Sequence, residues 1–416
     1  MDMAEQRKER LENLLHLARI ARGMSRAQLA RSLGRDPTKL LPESGNPKLD
    51  YVVALAEVLE WPVGDVVEAV WHGGANPAST PAPGATFDSI REQIAEAVQK
   101  AQYHRVVSLS KQMFEVAKTN DERAHALIRE AAGWDGLGRY ARTLECARNG
   151  LQLGPISLRL RLVMQATLAN AQYTLWDLTP ALGTAEVLAR WYEQNPPTKS
   201  FDWKRVAYVH YIRGHTHRRL MAMEPENRNW HLARAAEDLG KAIELYEKLA
   251  VELDDDSLRG IANTCRMGLI EIDVEAGRRD AAEATDFILA KLGEIAPKLA
   301  TMPGDWIESY GWASIFGSEI AARDLQGRDR QHKMVAFMNH ALVVADRLDN
   351  WSMRERVFTM QFGMHLSAVE ATGLDLDYTI DERERSMITA TMGRFPCFRS
   401  TGWKILETAK VVAGRS

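Results

Sequence analysis

Cysteine is scarce in this chain. Its 416 residues include three cysteines, Cys146, Cys265 and Cys397, which lie far apart. No Cys-x-x-Cys pair and no Cys/His spacing typical of a zinc site occurs. These absences exclude a disulfide-rich secreted domain and a zinc-stapled fold, and they favour a reduced, cytoplasmic protein. A chain of this length can bury a sufficient core without such crosslinks.

Long hydrophobic runs are also missing. The apolar runs are far shorter than the roughly 18 to 20 residues that a membrane-spanning helix needs. The first eight residues, MDMAEQRK, are charged and lack the apolar core of a secretory signal. We therefore expect a protein without a membrane partner.

Neither sign of charge dominates. Lysine and arginine number 53 and aspartate and glutamate 56, which gives a formal net charge of −3. This balance excludes a polycation that coats nucleic acid indiscriminately. Any binding to DNA has to come from a local basic patch.

Alternating patterns typical of β-strands are nearly absent, whereas strong helix formers are abundant. Apolar residues recur at spacings of three and four along most of the chain. The sequence therefore predicts an all-α fold built from successive helix pairs. Beyond residue 87, helices are expected over 88–118, 122–137, 140–153, 156–175, 180–194, 203–222, 229–253, 257–276, 279–296, 305–325, 330–348, 351–372 and 380–412.

One composition shift divides the chain. Residues 72–86 read HGGANPASTPAPGAT, a stretch that cannot bury apolar surface and that favours extended backbone. We interpret it as a flexible linker, with a long surface loop as the alternative. The predicted domains are 1–71, the linker 72–86, helical repeats over 87–379 and terminal helices over 380–416.

The first 71 residues predict five short helices. The first covers 5–22 and ends at Gly23. The second begins after the cap Ser25, and the third begins at Asp36-Pro37, a cap followed by proline at the first helical position. The last two cover 47–59 and 62–70.

The order of these segments resembles the helix-turn-helix of the Cro and phage-repressor (XRE) family. The resemblance lies in MSRAQLARSLG at 24–34, NPKL at 46–49, VALAEVL at 53–59 and VGDV at 63–66. It implies double-stranded DNA as a partner, with the start of the second helix on phosphate and the third helix in the major groove. The implied DNA-binding residues are Arg26, Gln28, Arg35, Thr38 and Lys39, of which the last three would reach base edges.

Local charge agrees with this resemblance. Residues 19–48 contain seven basic and two acidic residues, although a solvated charged face would look the same. Two features depart from the family pattern. Arg26 stands where the family usually has glutamine, and Pro42 stops the third helix early. A shortened reading helix would lower sequence specificity, or would indicate a domain that contacts protein instead.

The long helical part resembles tetratricopeptide-like repeats over 88–372. Small residues recur where paired helices would approach closely, namely Ala131, Ala169, Gly214 and Ala282. A non-repeating helical bundle is the alternative. Stacked pairs would leave a concave groove lined by the first helix of each pair. The candidates for a ligand or peptide groove are Arg161, Gln165, Asn170, Tyr173, Tyr208, Arg213, Asn263 and Arg266, each of which would otherwise be an ordinary helix-surface residue.

A helix-turn-helix followed by such a solenoid is similar to the peptide-sensing regulators of the RRNPP type, which are quorum-sensing proteins. The resemblance implies a homodimeric transcription regulator whose solenoid binds a peptide, small ligand or protein and sets the spacing of its DNA-binding heads. The alternative is an interaction scaffold with a degenerate helix-turn-helix. The terminal segment 380–412 would cap the solenoid or form a dimer contact.

Nothing in the sequence indicates an enzyme. No nucleophile–base pairing is legible, and the glycines of GWDGLG at 133–138 follow a helix and lack the lysine of a phosphate-binding loop. His210, His215 and His217 lack a further ligand at a metal-binding spacing. We expect no cofactor and no metal.

Overall fold

The computed structural model describes residues 3–22, 24–42, 46–59, 63–71, 84–100, 102–298, 302 and 304–412. Its contacts divide the chain into two compact units, Met1–Ala85 and Thr86–Ser416. Most of the predicted linker (72–83), the predicted helix end at Gly23 and the predicted helix start at Pro62 lie outside the described residues. The linker and the domain boundaries therefore stay predictions.

The first unit contains four α-helices. They are α1 (Met3–Arg22), α2 (Arg26–Ser32), α3 (Leu49–Leu59) and α4 (Val63–Trp71). Each contributes to one core, in which Leu11, Leu29, Leu55 and Val66 are fully buried. A capping box starts α2, since the Ser25 hydroxyl accepts from the Gln28 backbone while the Gln28 side chain accepts from the Ser25 backbone.

The third predicted helix is a single turn of 3-10 helix, Pro37–Lys39. It starts as the sequence indicates, because the Asp36 side chain accepts a hydrogen bond from the Thr38 amide and Pro37 fits the first helical position. It does not propagate, because Pro42 has no amide hydrogen to donate to a preceding carbonyl. An α-helix in the reading position is thus absent from the described residues between α2 and α3.

The second unit is all-α apart from one short strand pair within the described residues. Its helices are α5 (Phe87–Gln99), α6 (Tyr103–Val116), α7 (Asn120–Gly136), α8 (Tyr140–Gln152), α9 (Leu158–Thr174), α10 (Leu178–Gln194), α11 (Ser200–Met223), α12 (Arg228–Glu252), α13 (Ser257–Glu275), α14 (Ala281–Ile295), α15 (Gly304–Asp324), α16 (Gly327–Leu348), α17 (Trp351–Thr372), α18 (Glu382–Met392) and α19 (Arg399–Thr408).

These helices form a helical-repeat solenoid. Each helix packs on the next one along the chain, and each odd-numbered helix also contacts the next odd-numbered helix. The odd-numbered helices therefore form a continuous layer, as the first helices of stacked pairs do. At Gly214 of α11 an added Cβ would lie 2.8 Å from the Leu239 side chain of α12, so the small residue permits this close approach. Ala131 and Ala169 are fully buried, and Ala282 is half-buried.

Two predicted segments were wrong in detail. The expected helix 88–118 is two helices, α5 and α6, and no glycine or proline marks the break between them. The expected segment 380–412 contains α18 and α19, separated by a 3-10 turn at Pro396–Phe398. Strands β1 (Thr379–Asp381) and β2 (Lys410–Val412) flank these helices and pair in parallel. The proline and the short strands interrupt an apolar pattern that looks continuous in the sequence.

The terminal elements also meet an early part of the solenoid. Phe395 and Phe398 pack with Phe358 of α17 in one buried cluster. Tyr140, at the start of α8, joins the same cluster, with its ring centroid 5.5 Å from that of Phe395. The solenoid therefore turns far enough to bring α8 against its C-terminal elements.

Candidate nucleic-acid surface and ligand-binding interior

The turn after α2 is held by hydrogen bonds of its own side chains. Asp36 Oδ1 accepts from the Thr38 amide at 2.8 Å and from the Thr38 hydroxyl. These bonds lower the pKa of Asp36. Arg26 Nε donates to the Pro37 carbonyl at 3.2 Å, so α2 and the turn are tied together. Arg26, Gln28 and Thr38 are exposed, and each also maintains local structure.

Arg35 is less available than the sequence suggests. Its guanidinium lies 3.7 Å from the carboxylate of Asp50 and 5.4 Å from the ring centroid of Tyr51. The Tyr51 hydroxyl in turn donates to the Leu40 carbonyl at 2.6 Å. Burial raises the pKa of Tyr51 to about 12, so this hydroxyl stays protonated. Arg35 therefore belongs to the packing of the turn on α3 as well as to the surface.

Three exposed cations near the turn are not held by other side chains of the described residues. Lys39, Arg31 and Lys48 make no ion pair and no side-chain hydrogen bond with any other described residue. Of these, only Lys39 was singled out by the sequence argument as a DNA-binding residue. Arg31 and Lys48 were counted in the local basic charge. They were given no role of their own, because the resemblance places the DNA contacts at the start of α2 and on the third helix.

The predicted groove residues fall into three groups. Tyr173 is buried in α9, and Tyr208 lies half-buried in α11, stacked on Tyr211 with ring centroids 6.1 Å apart. Three other predicted side chains are held by neighbouring helices: Arg213 by Asp238 at 2.6 and 2.7 Å, Asn263 by Ser309 at 2.9 Å and Arg266 by Glu247 at 2.6 Å. Arg161 is exposed, and Gln165 and Asn170 are half-buried.

An aromatic row continues from Tyr208 and Tyr211 into the solenoid. The His215 ring lies 4.6 Å from that of Tyr211 and 5.8 Å from that of Phe316 on α15. Neither nitrogen of His215 has a hydrogen-bond partner among the described residues. Burial lowers the pKa of His215 well below its usual value, so the ring is neutral and packs as an aromatic residue.

A buried ionic network adjoins this row. Arg218 Nη1 donates to Glu271 at 2.6 Å and to Glu319 at 2.9 Å, and Arg356 also contacts Glu319. Arg219 packs between two rings, 4.0 Å from the centroid of Tyr173 and 4.2 Å from that of Trp176. The charged members of this network were not predicted, because a charged residue on a helix ordinarily indicates a solvated face.

Histidines form a second buried network between α11 and α12. His217 Nδ1 lies 2.9 Å from His231 Nδ1, and His231 Nε2 lies 3.1 Å from Glu224 Oε2. His210 Nδ1 lies 2.7 Å from Asp238 Oδ1. No group of three or more potential metal ligands occurs among the described residues. The histidines of HYIRGHTHRR therefore contact helix neighbours individually.

Two half-buried carboxylates of the second unit influence the same three tyrosines. The charges of Asp135 (α7) and Glu308 (α15) both raise the pKa values of Tyr103, Tyr140 and Tyr208, in addition to the larger effect of burial. Glu308 Oε1 accepts from Trp312 and from Asn350, at 3.2 and 3.1 Å. These residues come from separate helices, and of them only Tyr208 was predicted as a groove residue, because nothing in the sequence indicates that α7 and α15 lie near one another.

The comparisons with known proteins assign no family. A scan of protein-family models finds no match, and a search of curated proteins finds none. Among solved structures, the chain is similar to Bacillus thuringiensis PlcR, crystallised in complex with the peptide PapR7 and DNA. The identity is 13%, the match covers 84% of this chain and 99% of that chain, and the TM-score is 0.32. A superposition this loose establishes neither family nor function.

Within the part of the chain that the structure describes, no helix is both long and apolar enough to cross a bilayer.

Proposed function

We propose that this protein is a DNA-binding regulator whose helical-repeat unit senses a ligand or a protein partner. The observation that carries the DNA-binding part is a set of three exposed cations without a partner among the described residues, namely Arg31 on α2, Lys39 on the 3-10 turn and Lys48 just before α3. Phosphate contacts by such cations dominate the affinity of proteins for DNA. The balanced charge of the whole chain makes this local concentration the natural contact surface.

The short turn shapes the expected mode of binding. A major-groove reader presents several side chains from one helix to base edges. Here one 3-10 turn carries Thr38 and Lys39, and the Thr38 hydroxyl already donates to Asp36. We therefore expect phosphate contacts to contribute most of the affinity and Lys39 and Arg35 to contribute a modest sequence preference.

The sensing part of the proposal is supported by the interior of the second unit. Tyr208, Tyr211 and His215 of α11 form an aromatic row with Phe316 of α15, and Arg218, which pairs with Glu271, packs on the same Phe316 ring. A surface with mixed aromatic and ionic character suits a peptide or an organic ligand. The C-terminal elements α18, α19 and β2 would cap the solenoid and carry a homodimer contact, which would place two heads on one DNA.

A test of DNA binding uses the full chain. Purified protein is incubated with fragmented genomic DNA near physiological salt, and the retained fragments are sequenced. We expect retention that falls with added salt, with an enriched site in two halves if the protein is a dimer. A triple variant, Arg31→Glu with Lys39→Glu and Lys48→Glu, should lose retention.

The matched control makes the same kind of charge change on the second unit. Lys241→Glu with Lys248→Glu and Lys291→Glu alters two exposed lysines on α12 and one half-buried lysine on α14. The surface is not the DNA contact if the Arg31/Lys39/Lys48 variant retains DNA as the wild type does, or if both triple variants lose DNA equally.

The second candidate function is an interaction scaffold, and the single 3-10 turn in the reading position favours it. A scaffold would dock another protein on the solenoid and would bind DNA without sequence preference or not at all. The same experiment separates the two functions, because an enriched sequence supports the regulator and its absence at low salt supports the scaffold.

A further inference from the structure

A cavity lies among the C-terminal elements of the second unit, between α16, α17, β1 and α18. Its volume of about 440 Å³ falls in the range of small-molecule pockets, which is roughly 300 to 1,000 Å³. Phe358, Ile380 and Ile388 line it and are buried, whereas Gln331 and Val335 line it and are exposed. The cavity therefore opens to solvent at one end and reaches the apolar core at the other.

One wall of the cavity is aromatic. His365 and Tyr378 both line it, with their ring centroids 4.9 Å apart. The buried Phe362 supports the two rings, at 5.6 Å from Tyr378 and 6.2 Å from His365. Met364 adds a thioether to the lining, and sulfur also makes favourable contacts with aromatic rings. Such a preformed wall suits a planar aromatic ligand, which can stack against it.

The polar groups of the lining are mostly uncharged. The side chains of Gln331, Gln361 and Tyr378 make no hydrogen bond with any described residue, and amide and hydroxyl groups can both donate and accept. Burial raises the pKa of Tyr378 to about 12, so its hydroxyl keeps the proton. No lysine or arginine is among the described residues of the lining, and its one carboxylate is Glu384, whose Oε2 accepts from the Asp381 amide at 2.9 Å. An anion entering the cavity would meet a carboxylate and no such cation.

We propose that this cavity binds a small, neutral, planar aromatic molecule that has an amide or hydroxyl group. The rings of His365 and Tyr378 would stack on the ligand, while Gln331 and Gln361 would form hydrogen bonds with its polar group and fix its orientation. The cavity shares no lining residue with the aromatic row of α11 and α15. It is therefore a site additional to the interior on which the proposed sensing function is based.

A ligand at this site would stabilise the packing of the C-terminal elements. Phe358, Ile380 and Ile388 line the cavity and also belong to the buried cluster that contains Tyr140 of α8. Contacts with a ligand would thus add to those that hold β1 and α18 against α17. Because a ligand that binds only the folded state stabilises it, binding should raise the temperature of unfolding.

The test uses the full chain at pH 8 and two fluorescent probes that share the same rings. N-phenyl-naphthylamine is neutral, and anilinonaphthalene sulfonate is its anionic counterpart. We expect one neutral probe to bind per chain and the sulfonate to bind roughly tenfold more weakly, because its charge would lose water without gaining a cation. Aromatic amides should displace the neutral probe better than the corresponding carboxylates do, and should raise the unfolding temperature.

The decisive variant fills the cavity. Ala368 lines it on α17, so Ala368→Trp should weaken binding of the neutral probe by about tenfold or more, since the indole occupies the volume and the apolar surface that the probe would cover. The control is Ala371→Trp, on an exposed residue of the same helix outside the lining. It should bind the probe as the wild type does.

A second pair of variants is available if Ala368→Trp does not fold. Val335→Trp places an indole at the exposed mouth of the cavity and should also weaken binding. Val343→Trp alters an exposed valine of the same helix outside the lining and should not.

Three results would overturn the inference. They are no binding of the neutral probe to the wild type, equal binding of the neutral probe and the sulfonate, and equal binding by a folded cavity variant and its matched control. The assay contains no DNA. Its outcome therefore does not depend on whether the proposed DNA-binding function is correct, and a failure to retain DNA would leave this site unaffected.

Discussion

Trp351 packs against Gly138 and so joins the start of α17 to the turn between α7 and α8. Gly138 has a positive φ of 64°, and a Cβ on it would lie 2.4 Å from Trp351 Cδ1. The indole also stacks with Arg354 and Arg394, at 4.5 and 3.5 Å from its centroid. One glycine thus permits both the local turn and a contact between distant repeats.

The substitution Gly138→Ala should therefore destabilise the second unit. The positive φ costs a non-glycine residue about 1 kcal/mol, and the clash with Trp351 adds a further cost of about 1–3 kcal/mol. Gly277→Ala is a matched control, because Gly277 has a φ of 69° and nothing within 4 Å of an added Cβ. Urea denaturation should show a larger loss for Gly138→Ala. Equal losses of unfolding free energy in the two variants would mean that the Trp351 side chain moves aside at little cost.

The periodic apolar residues were sufficient to predict most of the helices that the structure describes. Most of the predicted segments match a helix to within a few residues, because each helix buries one face and loops contain glycine or proline. The split between α5 and α6 was missed since neither residue type occurs there. The terminal strands were missed since three-residue strands leave too short a pattern to recognise.

The interior was much harder to predict than the fold. Tyr173 and Tyr208 were proposed for the groove, but Asp135 and Glu308 were not, because they lie on α7 and α15, far apart in the sequence. Arg213 was proposed for ligand binding, and its partner Asp238 lies on the next helix. The sequence of a helix shows which residues share a face, but it does not show which distant face lies opposite.

The buried histidine pair should make the protein less stable in acid. Burial, followed by the influence of His231, lowers the pKa of His217 to about 4. A folded-state pKa below the unfolded value of about 6.5 means that the unfolded chain takes up the proton first. Stability from this group is full above pH 6.5 and falls by about 3 kcal/mol as the pH drops to 4.

The measurement compares the pH dependence of unfolding in two variants. His217→Gln should flatten the loss between pH 6.5 and 4, even though it costs stability at neutral pH. His332→Gln alters an exposed histidine and should keep the wild-type slope. A wild-type slope in both variants would show that His217 does not titrate as its surroundings indicate.

Asp238 should be far more important for stability than its neighbour Glu237. Burial alone would raise the pKa of Asp238, but hydrogen bonds from His210 and Arg213 lower it below the usual value. Asp238→Asn leaves the buried Arg213 without a counter-charge, which costs about 3–5 kcal/mol. Glu237→Gln removes an exposed ion pair on the same helix and should cost at most about 1 kcal/mol.

A double variant separates the pair from its packing. Arg213→Met with Asp238→Leu removes both charges and should be less destabilising than Asp238→Asn alone. Urea denaturation of the three proteins at pH 7 checks the order. The idea fails if the double variant is the least stable, because the ion pair would then contribute more than its desolvation costs.

Asp135→Asn should stabilise the free protein at alkaline pH. Burial and the charge of Glu308 raise the pKa of Asp135 from 3.8 to about 7, so the folded state keeps a proton that the unfolded chain has lost. The stability of the wild type therefore falls as the pH rises from about 4 to 7, by about 4 kcal/mol at most, and the penalty stays constant above that range.

Asparagine carries no charge and avoids this penalty. The gain in stability of Asp135→Asn should thus be largest at pH 8 and should vanish near pH 4, as thermal unfolding at both values would show. Glu237→Gln again serves as the control. Hydrogen bonds from Lys241 and Arg234 lower the pKa of Glu237, so the Glu237 carboxylate favours the folded state as the pH rises, which is opposite to the effect of Asp135. If Asp135→Asn is equally destabilising at both pH values, the carboxylate has a structural role instead.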